Sequence, residues 1–285
     1  KELSREGFKY AYLSNATDKI SSSVSGGRND YNMQSYFGRL LYDYDNKYLF
    51  SATVRRDGSS NFGPNNKYAI FPSFSAGWNV DRENFFPKND VLTNLKIRGS
   101  WGQNGNDQIR AFSYMSTISS YDKNYHFGTA GALEDENLAV GSSPDNIDNP
   151  DVKWETSEQL DLGFDLTLFS SLTFTFDYYN KETKDWLVQA SIPDLAGANA
   201  PFINGGDITN KGMEFGLGYK TNFGNDWTFS VNGNLSYNKN EVTRIANAEG
   251  IIHGDTNLLF QGIDEINRVE VGQPIGYFYG LKTDG

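Results

Sequence analysis

The chain has 285 residues, a formal net charge of -11 and no cysteine. That length can bury a core as one large or two modest domains, and the missing thiols exclude a disulfide framework, a thiolate zinc site and a cysteine nucleophile. An acidic chain without a basic stripe is a poor partner for nucleic acid, because phosphate binding needs one; the densest basic pair, Arg55-Arg56, runs straight into Asp57.

Period-two alternation organises the chain. Ser35 to Tyr44 (SYFGRLLYDY) meets Tyr48 to Arg56 (YLFSATVRR) across Asp45-Asn46-Lys47. Phe71 to Val80 puts Phe74, Ala76, Trp78 and Val80 on one face. A connection of intermediate length, Asp81 to Thr93, leads to Asn94 to Gly102, where Leu95, Ile97 and Trp101 alternate with Lys96, Arg98 and Ser100. Glu155 to Leu168 and Leu172 to Glu182 join at Ser170-Ser171, with Leu172, Phe174, Phe176 and Tyr178 opposite Thr173, Thr175 and Asp177. Lys211 to Asn222 and Trp227 to Asn238 meet across Phe223 to Asp226. No amphipathic helical segment competes with these runs.

The result is an all-β, antiparallel chain of about eight strands, many longer than the five or six residues usual in soluble sheets. Aromatics make up 15% of the residues while the mean hydropathy is -0.58. No run approaches the ~18 apolar residues of a membrane-spanning helix, but a spanning β-strand needs only about 9–11 residues with every second one facing lipid. The connections alternate in length. Short turns at Asp45 to Lys47, Ser170-Ser171 and Phe223 to Asp226 contrast with the long segments Asp57 to Ile70, Gln103 to Trp154 and Thr183 to Asn210. Outer-membrane barrels have this asymmetry, with short periplasmic turns and long extracellular loops. Trp78, Trp101, Trp227, Tyr42, Tyr44, Tyr48, Tyr178 and Tyr237 sit near the ends of the predicted strands, as aromatic girdles do.

Few residues invite chemistry. His126 and His253 are far apart in polar, Gly-containing surroundings and read as solvated loop residues. Asp145, Asp148 and Asp151 are spaced by three in PDNIDNPD, a spacing that could gather oxygen ligands for calcium but fits turn chemistry better. DGSSNFG, Asp57 to Gly63, lacks the lysine and following helix of a phosphate loop and reads as the start of an external loop. Tyr121, Tyr125, Trp186 and Phe202 fall in the long loops, where their flat faces could stack on sugar rings; solvated or lid-contacting aromatics are the competing reading. No catalytic residue, cofactor or metal is expected.

Several stretches resemble the SusC/RagA family of TonB-dependent outer-membrane transporters. They are Ser35 to Val80, with RRDGSSNFG at its centre; LTNLKIRGSWGQNGND, Leu92 to Asp107; NPDVKWETSEQLDLGFDLTLFSSLTFTFDYYNKETKDWL, Asn149 to Leu187; INGGDITNKGMEF, Ile203 to Phe215; and VGQPIGYFYGLKTDG, Val271 to Gly285. Leu281 stands where the family usually has an aromatic, and Trp101 where tyrosine is common. The resemblance implies a barrel of about 22 strands around an N-terminal plug, of which residues 1–285 would be the middle of the wall, with the plug domain and the C-terminal end of the barrel outside this chain. It also implies an outer-membrane location in a Gram-negative, Bacteroidota-like cell, and TonB-driven uptake of oligosaccharides or other large nutrients, glycan or peptide. The expected partners are a SusD-like surface lipoprotein, TonB and the lipid bilayer. The alternatives are a glycan-binding soluble or surface β-sandwich and a small self-contained outer-membrane barrel.

Overall fold

The computed structural model describes residues 30–87, 89–119, 125–126, 138–139, 141–190, 192–224, 226–256 and 261–281. The chain divides into two units, Lys1–Asn32 and Met33–Gly285. Only residues 30–32 of the first are described; the second holds every strand among the described residues.

The main body is an eight-stranded antiparallel sheet in the order β1-β2-β3-β4-β9-β10-β11-β12. Its strands are β1 (Met33–Tyr44), β2 (Tyr48–Ser59), β3 (Tyr68–Asn79), β4 (Leu92–Asn106), β9 (Glu155–Leu168), β10 (Leu172–Gln189), β11 (Phe202–Phe223) and β12 (Trp227–Ile245). The connection between β4 and β9 contains β5 (Ile118–Ser119), β6 (Tyr125–His126), β7 (Leu138–Ala139) and β8 (Ser143–Pro144), paired β5 with β8 and β6 with β7. A separate three-stranded sheet, β13 (Ile251–His253), β14 (Asn267–Glu270) and β15 (Tyr277–Phe278), follows β12. Strands β1 and β12 are the two ends of the main sheet and do not pair with each other, so this is an open wall rather than a closed eight-stranded barrel.

The short turns have local causes. Asp45 and Asn46 both take positive φ, 54° and 49°, the left-handed geometry that these residues tolerate in tight hairpins. The Asp43 carboxylate accepts the Asn46 amide at 2.8 Å and Lys47 N–H bonds back to the Tyr44 carbonyl at 2.9 Å. In the β9–β10 turn, Ser170 and also Phe169 take positive φ, 54° and 52°. The turn therefore begins one residue before the predicted Ser170-Ser171. The β3–β4 connection contains a single 3₁₀ turn, Val80–Arg82. Just beyond it, Glu83 accepts hydrogen bonds from Tyr48 Oη at 2.5 Å and Trp78 Nε1 at 3.1 Å, tying this end of the sheet to its own connection.

Register turns the alternation into two continuous faces. Trp101 pairs with Phe74 and Leu160; Ile97 with Trp78 and Phe164; Phe164 with Phe176; Phe176 with Phe215; Phe215 with Leu235. Directly paired residues share a face, so one face is apolar on all the main strands, from Tyr42 and Leu40 in β1 to Phe229, Val231 and Leu235 in β12. Ring pairs bind it laterally, with Phe164, Phe174, Phe176 and Phe215 at centroid separations of 5.1–6.5 Å. No second sheet covers it among the described residues; Leu235 is 69% exposed and Trp227 77%.

The long-connection end differs from the sequence reading. Asp57 to Ser59 continue β2, Tyr68 to Ile70 begin β3, Gln103 to Asn106 continue β4, Thr183 to Gln189 continue β10, and Phe202 to Asn210 belong to β11. The segment between β10 and β11 thus shrinks to residues 190–201. Trp186 and Phe202 are therefore strand residues, not loop aromatics. Bulges explain the miss: register shifts between Thr183 and Trp186, between Trp186 and Leu187, and between Asp207 and Ile208, with Asp185 at φ 57°, interrupt period two where the strands continue.

Candidate functional site

The face opposite the apolar one is built mainly from Ser, Thr, Asn, Asp, Gly, Lys and Arg at the intervening positions, with Leu41 and Leu49 among them in β1 and β2, and it carries a cluster of charges at its middle. Arg98 in β4 is central. Its guanidinium meets Asp177 of β10 at 2.5 and 2.7 Å and Asp165 of β9 at 3.2 and 3.3 Å. The three come together because Arg98 pairs with Gly163 and Gly163 with Asp177. A Cβ on Gly163 would lie 2.4 Å from the Asp177 carboxylate and 2.7 Å from the Phe176 carbonyl, so glycine leaves room for the cluster between the flanking strands. All three charged side chains are partly exposed, so the arrangement fixes charge on a wet surface rather than in a core.

Further hydrogen-bonding groups continue the face. Asp161 accepts from Ser100 Oγ at 3.2 Å and Gln159 Nε2 at 2.8 Å; Ser51 and Ser75 share a hydrogen bond of 2.8 Å; Tyr179 Oη donates to Asn238 at 3.0 Å. A groove of about 510 Å³ opens here, lined by Arg39, Asp43, Lys96 and Arg98 together with the apolar Leu41 and Leu49. A second hollow of about 320 Å³ shares Arg39, Ser51 and Asp161 and extends to Gln103 and Asn104. The surface offers hydrogen bonding and mixed charge beside apolar side chains.

Above it, the long connections pack on a small core of Phe62, Phe71, Val152 and Trp154, with Ile109, Tyr114 and Leu187 against it. Trp154 Nε1 donates to the Lys67 carbonyl at 3.2 Å, Asn66 to the Asp151 carbonyl at 2.8 Å, and Asn61 to the Asp107 carbonyl at 3.0 Å. DGSSNFG belongs to this core: Asp57, Ser59, Asn61 and Phe62 are all buried, and Arg55 Nε holds the Asp57 carboxylate at 2.7 and 2.8 Å. Its residues shape the loop.

The aromatics singled out from the sequence are dispersed. Trp186 packs against Ile208, Val242 and Ile245. Phe202 lines a hollow of about 90 Å³ with Arg110, Phe112, Asn146 and Asn199, and its carbonyl accepts from Asn149 Nδ2 at 2.7 Å. Tyr125 lies in β6 with its side chain outside the described residues, as is all of Tyr121. Asp145 is engaged by Asn199 Nδ2 at 3.1 Å and lies 3.8 Å from Arg110; among the described residues no group of three His, Cys, Asp or Glu side chains is placed to hold a metal ion. The Arg98 cluster was missed. Alternation put Arg98 and Asp177 on polar faces separately, and only strand register shows that they meet.

Comparison with known proteins agrees with this architecture. A family model described as "TonB dependent receptor-like, beta-barrel" matches residues 4–263. TonB-dependent receptor P3 of Formosa agariphila is 37% identical over 268 residues, 93% of this chain and 26% of that protein. TonB-dependent receptor SusC of Bacteroides thetaiotaomicron is 32% identical over 239 residues, 82% of this chain and 22% of that protein. Among solved structures, the RagAB peptide transporter superposes with a TM-score of 0.76 at 25% identity, covering 96% of this chain and 28% of the matched one. The chain spans about a quarter of the length of these relatives.

Proposed function

The chain belongs to the TonB-dependent receptor β-barrel family, and from that premise we propose that it forms part of the wall of an outer-membrane transporter for oligosaccharides or other large nutrients. One observation carries this reading: a single sheet has a continuous exposed apolar face and, behind it, a polar face with a groove. An apolar surface of that extent needs a partner, and lipid on one side with a wet lumen on the other supplies both environments. The short turns then face the periplasm, and the long connections around Trp154 face outward. A soluble β-sandwich would need a second sheet over the apolar face, and a small closed barrel would need β1 paired with β12; the strand order supports neither.

The polar face and the upper connections are where substrate passes. Phe202, at the hollow beside Arg110 and Asn199, is the better placed of the two described aromatics for a substrate contact, since Trp186 is committed to packing. The chain works by transport, not catalysis, in concert with TonB and a SusD-like surface lipoprotein. The related RagAB structure is described as a peptide transporter, so peptides stand beside oligosaccharides as a substrate class.

Uptake in the host bacterium tests this. Deleting the gene should abolish accumulation of one class of labelled oligosaccharide or peptide, and collapsing the proton-motive force should do the same in the parent strain. Unchanged accumulation of every oligosaccharide and peptide tried would overturn the proposal.

A further inference from the structure

The apolar face stops at a definite level toward the long-connection end. Its last row in β10, β11 and β12 is Tyr178, Met213 and Tyr237, directly paired across the strands. One step beyond, on the same face, the register sets Asn180 opposite Lys211 and Lys211 opposite Lys239. Like charges in directly paired positions oppose folding, and their Cβ atoms lie only about 5 Å apart in such pairs. Lys239 is held at 2.7 Å by Glu241 of its own strand, while Lys211 has no ion-pair partner among the described residues. Asn180 adds a side-chain oxygen buried without a donor. The row sets two ammonium groups at the edge of an apolar surface; Glu241, one row further on, pairs with Lys239 and also feels the charge of Lys211, which leaves Lys211 the less compensated of the two.

Resting on the membrane reading above, we infer that Lys211 and Lys239 form a headgroup site on the outer wall, taking the phosphate of an anionic lipid whose chains lie against Tyr178, Met213 and Tyr237. The depth fits. Lipid phosphates sit at the boundary where aromatic belts end and basic side chains begin. Glu182 and Glu241 lie in the next row on the same face, where Lys184 pairs with the first at 3.4 Å and Lys239 with the second at 2.7 Å.

The intact transporter in nanodiscs of phosphatidylcholine and phosphatidylglycerol tests the site, with native mass spectrometry counting the lipids it retains. The wild type should retain phosphatidylglycerol over phosphatidylcholine by about tenfold, the attraction expected of one to two lysines at a membrane surface. The pair Lys211→Gln and Lys239→Gln should bring this near parity while heat-modifiable gel mobility stays normal. Lys181→Gln, on the polar face one position away, should leave the preference unchanged, and millimolar inorganic phosphate should not displace the lipid. Equal retention of both lipids by the wild type, an undiminished preference in the double variant, or displacement by free phosphate would overturn the site. Failure of the intact protein to enter nanodiscs at all would overturn the membrane reading, and the headgroup site with it.

Discussion

At the scale of single residues, His253 departs most from its appearance in the sequence. It reads as a solvated loop histidine, yet Nδ1 lies 3.0 and 3.1 Å from the Glu265 carboxylate oxygens and Nε2 lies 3.2 Å from Glu249. A neutral imidazole can donate from one nitrogen only, so two carboxylates favour the doubly protonated ring. The hydrogen bond to Glu265, then the one to Glu249, raises His253 above its ordinary value. Burial pushes Glu265 upward, but His253, the Gly254 amide and Arg268 together hold it below the usual carboxylate range. Because the folded pKa of His253 is raised, its contribution to the link between β13 and the segment carrying Glu265 is full below about pH 6.5 and is lost as pH rises through the higher folded value. Amide hydrogen exchange in residues 249–254 should therefore accelerate above pH 6.5 by more than intrinsic exchange does, and His253→Gln should remove that extra pH dependence. Protection that follows intrinsic exchange alone in the wild type would show the histidine to be a bystander.

At the scale of elements, the β9–β10 hairpin separates the two faces most sharply. Phe174 is packed among Phe164 and Phe215, while its neighbour Thr175 pairs with Asp165 on the charged face. Phe174→Arg should cost about 2–4 kcal/mol near the middle of the bilayer. Thr175→Arg, facing Asp165, should be nearly silent. Folding from urea into lipid vesicles, followed by heat-modifiable mobility, measures both, and equal damage would refute the face assignment. The main strands and short turns were legible in the sequence because an undisturbed period of two fixes faces and limits together. Strand ends beyond Glu182 and before Lys211 were illegible, since the bulges around Asp185 and Asp207 shift the alternation without ending the strands. Of the polar face, membership was legible and contact was not: Arg98 and Asp177 are 79 residues apart, and their meeting depends on the order β4-β9-β10. Of DGSSNFG, the coming end of the strand was legible and its place was not: Asp57 to Ser59 still belong to β2, with Asp57 held by Arg55 of the same strand, while Asn61 is buried against Asp107 of another segment.

At the scale of the whole molecule, the dimensions of the apolar face agree with a bilayer. From Trp227 to Tyr237, ten residue steps at about 3.3 Å span ~33 Å along β12, which a strand tilt of about 40° reduces to ~25 Å, the height of the apolar band in outer-membrane barrels. The intact protein should consequently partition into detergent on phase separation and aggregate when detergent is withdrawn. A monodisperse aqueous species would contradict the bilayer assignment. Strands β10 and β11 do not stop where that band stops. From Asn180 to Gln189 and from Lys211 back to Phe202 they remain hydrogen-bonded to one another, rising about 30 Å further along the strand direction. The mouth of the wall is thus mounted on a stiff collar, with much of its conformational entropy already spent during folding. Under the proposed transport function, an incoming nutrient meets a preorganised rim, and less of its binding energy goes into ordering the protein that receives it.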